Sequence, residues 1–177
     1  SGYAKTQPSD EYREQRRGGQ GKAATSVKEE DLIQNLYVLS SHVQILCFTT
    51  KGKVFWLKVY EIPVASRTSK GRPLVNMLNL DDDERVSEIL PVEEFSDDKF
   101  IFMATRKGIT KKTNLSLFAR KWKSGIKAIN LDEDDRLVGT AITDGKKEIL
   151  LASSAGKLIR FNETKVRAMG RTARGVK

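Results

Sequence analysis

Cysteine and histidine are almost missing from the 177-residue sequence, which has one of each, Cys47 and His42. That scarcity excludes a disulfide framework and any His/Cys zinc site built by this chain alone. No stretch approaches the roughly 20 consecutive apolar residues that a bilayer crossing requires. The opening Ser1-Gly2-Tyr3-Ala4-Lys5 lacks the basic and apolar blocks of a targeting signal. Acids are the minority charge, with 23 Asp and Glu against 32 Lys and Arg and a formal net charge of +9. Apolar residues, by contrast, are sufficient for a packed core. Runs such as Ile45-Leu46-Cys47-Phe48 and Val54-Phe55-Trp56-Leu57 are too dense for a disordered chain. Length predicts a single domain. The basic excess predicts a polyanionic partner, nucleic acid before membrane, and a cytoplasmic setting.

The charge is laid down in blocks. Lys99 to Lys127 holds nine basic residues and no acid, and Lys157 to Lys177 holds seven against the single Glu163. The acids gather in Asp81-Asp82-Asp83-Glu84, Glu93-Glu94, Asp97-Asp98 and Asp132-Glu133-Asp134-Asp135. A like-charged block must face water or meet a partner of opposite sign. Here basic and acidic blocks alternate with a period.

That period is an internal repeat. Residues 45–55, 101–111 and 149–159 each read as an apolar strand, a polar turn closed by Gly52, Gly108 or Gly156, and a second strand. Glycine suits such a turn because it adopts positive φ without steric cost. A second glycine, Gly71, Gly125 or Gly175, follows 17 to 19 residues later. After the first two of these an apolar strand is expected (75–80 and 128–131), then an acidic turn, then another strand. Hairpin glycines are spaced 56 and 48 residues apart, and the second glycines 54 and 50. Units of about fifty residues with four antiparallel strands have the size of propeller blades. The fold class expected is therefore all-β and propeller-like. Residues 1–31 read as a polar linker or arm, and 32–177 as about three blades (roughly 32–80, 85–131 and 136–177). The third unit reaches only Gly175-Val176-Lys177, where its last strands should begin, so an incomplete ring is expected.

The arm contains Gln15-Arg16-Arg17-Gly18-Gly19-Gln20-Gly21-Lys22. A P-loop would need Gly where Arg16 stands and Ser or Thr where Ala23 stands. A dinucleotide fingerprint would need a buried strand ahead of it, and the preceding run is polar. A basic loop with accessible backbone N–H groups reads better, because arginine forks onto phosphate and glycine permits close approach.

Gln15 to Gly21 closely resembles the seven-residue Gln-Arg-Arg-Gly-Gly-(Lys/Arg)-Gly box of the DNA gyrase A C-terminal domain, with Gln20 in place of the usual basic residue. The repeats, including Gly71-Arg72-Pro73 and the acidic turns, resemble that family's blades. The related protein of topoisomerase IV has similar blades without an intact box. The resemblance implies a β-pinwheel, a propeller-like ring of about six blades with exchanged strands. It further implies wrapping of double-stranded DNA around a basic rim, dependent on the box and supporting ATP-dependent negative supercoiling by a type II topoisomerase. The implied partners are the remainder of the gyrase A protein and its ATPase partner, gyrase B, near the nucleoid and not at a membrane. Catalysis, ATP and Mg²⁺ would belong to other parts of that assembly, with no cofactor here. Tyr3, Tyr12, Tyr37 and Tyr60 lie in no sequence resembling the family's catalytic tyrosine motif.

A basic rim needs no base contacts, since phosphate neutralisation and counterion release supply the affinity. The candidate DNA contacts in the box are Gln15, Arg16, Arg17, Gly18, Gly19, Gly21 and Lys22. In the first unit they are Lys51, Lys53, Arg67, Lys70 and Arg72. Arg106, Lys107, Lys111, Lys112, Arg120, Lys121 and Lys123 are chosen in the second, and Lys157, Arg160, Lys165, Arg167, Arg171 and Arg174 in the third. About half are expected to touch DNA, the others being solvated or paired with acids. Trp56 is expected in the core, and Trp122, between two lysines, under or on a basic loop. The acidic clusters are expected to be solvated turns. A protein-interaction module that docks an acidic partner is the alternative reading.

Overall fold

A computed structural model describes residues 2–12, 17–19 and 33–177. Three antiparallel hairpins form its frame: β2 (Gln44–Thr49) with β3 (Lys53–Lys58), β6 (Phe100–Thr105) with β7 (Thr110–Asn114), and β10 (Glu148–Ala152) with β11 (Leu158–Asn162). Gly52, Gly108 and Gly156 sit at the turns with φ of 74°, 82° and 75°, the conformation that the repeat pattern requires.

The first hairpin is apolar on both faces because each face has its own neighbour. Leu46, Phe48, Val54 and Trp56 point to one side and join Ile101, Met103, Leu115, Phe118 and Ile129 of the second repeat and Leu137 of the third. Ile45, Cys47, Phe55 and Leu57 point to the other and join Ile62 and Leu78 of the first. Strand periodicity of two sorts two runs of four apolar residues, one on each strand, into two separate cores. Trp56 is buried as expected, and its Nε1–H donates to the Phe118 carbonyl at 2.8 Å. Cys47 is buried and inert, its thiol pushed up to about 12 by loss of solvent.

Sheet membership crosses the repeat boundaries. β5 (Val86–Val92) pairs with β2, and β8 (Ile126–Lys127) from the second repeat pairs with β3, giving the order β5-β2-β3-β8. β9 (Leu137–Thr143) pairs with β6 in the same way, and Val176 bridges Thr110 on β7. Each blade thus borrows its outer strands from chain that follows it.

The second set of glycines makes this exchange possible. Gly71, Gly125 and Gly175 have φ of 85°, 69° and 102° and each lies directly against a strand of the preceding repeat. The strands expected at 75–80 and 128–131 are not formed. Pairing ends after two residues, at β4 (Arg72–Pro73) and β8, and Leu74–Asn76 turns into a 3-10 helix. Leu78 and Ile129 are buried in the cores without belonging to a sheet.

Residues 2–12, read from sequence as part of a polar linker or arm, pack on the first repeat. β1 (Tyr3–Ala4) pairs with β4, Thr6 bridges Val64, and a 3-10 turn follows at Ser9–Glu11. The same strand-then-turn sequence occurs at β3, β7 and β11, so this segment is a half repeat too polar to be recognised by its apolar pattern. At the other end β10 and β11 form a two-stranded sheet whose Leu150, Leu158 and Ile159 are exposed.

Candidate nucleic-acid interface

Most of the basic residues fall into two groups by their place in the repeat. The first group lies at the hairpin turns and is engaged by the acidic turns. Lys51 Nζ meets Asp83 at 2.5 Å and Asp81 at 3.2 Å, and Lys53 Nζ meets Asp81 at 3.3 Å and Glu84 at 3.7 Å. Hydrogen bonds to Asp83 and Asp81 raise the Lys51 pKa, and the lysines in turn lower those of Asp81 and Asp83. Arg106 and Lys107 donate to the backbone carbonyls of Asp134 and Glu133, each at 2.5 Å. The acidic clusters are expected as solvated turns, with some of the basic residues paired to them. Instead Glu84 is fully buried, accepting from the Thr49 hydroxyl at 2.5 Å and the Asp81 N–H at 3.1 Å. Asp135, four residues past Leu131, plays the corresponding part for the Lys107 N–H at 3.0 Å.

The second group lies on the loops between each 3-10 turn and its positive-φ glycine, and on the strand start after it. Arg67, Lys70 and Arg72 flank Gly71; Arg120, Lys121 and Lys123 precede Gly125; Arg167, Arg171 and Arg174 precede Gly175. Arg120 stacks its guanidinium over the Trp122 ring at 4.4 Å, and Lys70 lies over Tyr3 at 4.4 Å. Trp122 is 39% exposed, so it lies on the loop rather than beneath it. Lys121 pairs with Glu61 at 3.1 Å and Arg174 with Asp132 at 2.5 Å, whereas Lys123 and Arg167 are exposed. Lys157, Arg160 and Lys165 are exposed on the third unit, Arg160 lying 3.6 Å from Glu148.

Within the box, Arg17, Gly18 and Gly19 are exposed, and Gly18 has φ of 85°. Gly18 follows the Ser9–Glu11 turn as Gly71 follows Val59–Glu61. Arg17, Gly18 and Gly19 therefore stand at the same place in the repeat as the second basic group. Gln15, Arg16, Gly21 and Lys22 lie outside the described residues.

Lys111 and Lys112 are withdrawn as DNA contacts. Their relative exposures are 0% and 6%. Lys111 Nζ donates to the carbonyls of Ala128, at 2.6 Å, and Arg171. Lys112 Nζ donates to the Glu163 carbonyl at 3.1 Å, lies 3.8 Å from the buried Glu163 carboxylate and rests 4.9 Å from the Phe100 ring centroid. They stand on β7 where Phe55 and Trp56 stand on β3, and each amine reaches a backbone carbonyl of the next repeat. A basic pair in a charge-rich run looks exposed in sequence; only the repeat register reveals that it is internal.

Burial first, and then the neighbouring Arg171 charge, lowers the Lys111 pKa from 10.5 to about 8. Below pH 8 both the folded and the unfolded chain carry the proton, and the fold bears the whole burial cost. Between pH 8 and 10.5 the folded chain loses the proton first, so that cost shrinks as pH rises. Urea midpoints should therefore show the wild type gaining stability on Lys111→Met from pH 7.5 to pH 10, by up to about 3 kcal/mol. A constant difference across that range would contradict the burial assignment.

A family described as DNA gyrase C-terminal domain, beta-propeller, matches residues 1–40, 44–93, 99–144 and 147–177. The chain belongs to the DNA gyrase C-terminal domain family. The DNA gyrase A protein of Aeromonas salmonicida is 56% identical over 162 residues, covering 92% of this chain and 18% of that protein. Its Haemophilus influenzae counterpart is 53% identical over 176 residues, covering 99% and 20%. The chain thus spans about a fifth of these gyrase proteins. A crystal structure of the C-terminal domain of DNA topoisomerase IV superposes with a TM-score of 0.85 at 28% identity, over 99% of this chain and 53% of that one. A gyrase A C-terminal domain structure gives 0.67 at 24% identity, over 95% and 54%. The fold is accordingly the all-β pinwheel of the gyrase and topoisomerase IV domains.

Proposed function

We propose that this gyrase domain binds double-stranded DNA along its repeated basic loops and bends it, serving as the accessory wrapping element for negative supercoiling. The observation that carries the reading is positional. In every repeat the stretch ending in the positive-φ glycine is basic, and the box supplies Arg17 at the same place. Cations spaced at a repeat interval suit a phosphate backbone, which needs point charges along a path and no base contacts. The hairpin-turn lysines, held by their own acidic turns, are secondary contacts. The reading includes no chemistry by this stretch: strand breakage and ATP use belong to the remainder of gyrase A and to gyrase B, in the bacterial cytoplasm. Among the described residues no helix is long and apolar enough to cross a membrane. The acidic turns, which favoured docking of a protein partner, are largely occupied by the chain's own cations.

Duplex gel shifts over a salt series test the proposal. With about six phosphates neutralised, log K should fall with log salt at a slope near −5, or roughly a thousandfold loss between 50 and 200 mM. A nearly flat dependence would overturn it, and capture of a protein partner unaffected by nuclease would favour the alternative.

A further inference from the structure

Two lysines recur at one place in the repeat and do the same thing. The strand pairs Ala4 with Arg72, Val54 with Ile126 and Thr110 with Val176 align the three repeat junctions. One residue further along stand Lys5, Phe55 and Lys111. Lys5 Nζ donates to the carbonyls of Ser66 at 3.0 Å, Arg67 at 2.9 Å and Ser69 at 2.8 Å. Lys111 Nζ donates to the carbonyls of Ala128 and Arg171. Arg67 lies four residues before Gly71 and Arg171 four before Gly175, so each amine grips the same point of a basic loop in the repeat that follows it. The middle junction uses an aromatic ring: Phe55 packs under Gly125, and the loop above it carries the Arg120–Trp122 stack.

An ammonium that holds two or three carbonyls fixes a loop's backbone, and charge-assisted bonds of this kind are about twice as strong as neutral ones. We propose that Lys5 and Lys111 are positioning residues for DNA wrapping: each reaches from one repeat into the next and sets the shape of that repeat's basic loop. The direction of the DNA path is thereby coupled to the packing of adjacent repeats. The inference rests on the reading of these loops as the DNA contacts.

Lys5→Met and Lys111→Met keep the aliphatic stem and remove the donors. Lys5 is the safer site, because it lies outside both buried cores. Without DNA, amide exchange across 66–71 in Lys5→Met should quicken by about tenfold, with the exchange of β2 and β6 unchanged. Unaltered exchange at 66–71 would overturn the hold itself, whatever DNA does. With DNA, each Met variant should keep the wild-type salt slope while the linking-number shift per bound chain falls by at least about half, and Lys111→Arg should restore it. A salt slope reduced by about 0.9 would instead make the lysine a direct phosphate contact and overturn the proposal. A full linking-number shift in both Met variants would overturn it as well. Failure of the wild type to bind duplex at all would overturn the DNA reading and the positioning role with it, leaving the exchange result as a statement about folding.

Discussion

Closing nicked circular DNA with ligase in the presence of this chain should shift the linking number upward, and Arg16→Ala with Arg17→Ala should abolish that shift while duplex binding persists. The division follows from magnitudes. Bending 20–30 base pairs by 40–90° costs on the order of 1–6 kcal/mol. A hydrogen bond to a charged group contributes about 1.5–3 kcal/mol, so two arginines supply an amount comparable with the bend. The loops around Gly71, Gly125 and Gly175 retain their own cations in the variant. It should therefore still bind, on straighter DNA, with affinity reduced by about a hundredfold or less and a salt slope lower by about 2. Gel shifts on circularly permuted fragments would report the bend separately from the affinity. Equal loss of bending and binding would mean that the box is the main anchor and not the element that turns the path. An unchanged linking number in the wild type would mean that these repeats bind DNA without carrying it through a wrap.

The repeat was legible in sequence because hairpins leave two strong marks, a dense apolar run and a glycine at a fixed distance. Those marks located Gly52, Gly108 and Gly156, and the second series at Gly71, Gly125 and Gly175. The strand exchange was not legible. A two-residue strand such as Ile126–Lys127 has no periodicity to detect, and the apolar residues after it satisfy a core without joining a sheet. Charge was the least legible feature. Lys111 and Lys123 look alike in a basic run, but one is at an internal repeat position and the other on an exposed loop. Aligning repeats by their second glycine, instead of by their apolar runs, separates the two. The same alignment brings Lys5 into line with Lys111, although the segment around Lys5 is polar enough to pass for a linker.

The exchange of strands predicts that Gly108 and Gly125, one from each glycine series, will respond differently to the same substitution. Gly108 and Gly125 have φ of 82° and 69°, so alanine is strained at both, by about 1–2 kcal/mol. At Gly108 nothing lies within 4 Å of an added Cβ, and the strain is the whole cost. At Gly125 the new methyl group would lie 2.7 Å from Phe55 Cε1 and 2.8 Å from Cζ, and Phe55 is 2% exposed in a filled core. Overpacking of that kind adds about 1–3 kcal/mol. Gly108→Ala should therefore lower Tm by about 2–8 °C, whereas Gly125→Ala should lower it by roughly twice as much, at about 2–4 °C per kcal/mol for a chain of this size. The functional consequence should diverge further. Gly125→Ala pushes β8 away from β3 and with it the loop carrying Arg120, Trp122 and Lys123, so DNA bending should fall even at temperatures where the variant is fully folded. Gly108→Ala leaves that loop in place and should bend DNA normally. Equal Tm losses and equal bending in the two variants would show that the second glycine is only a turn residue, and that the repeats are not clamped together through it.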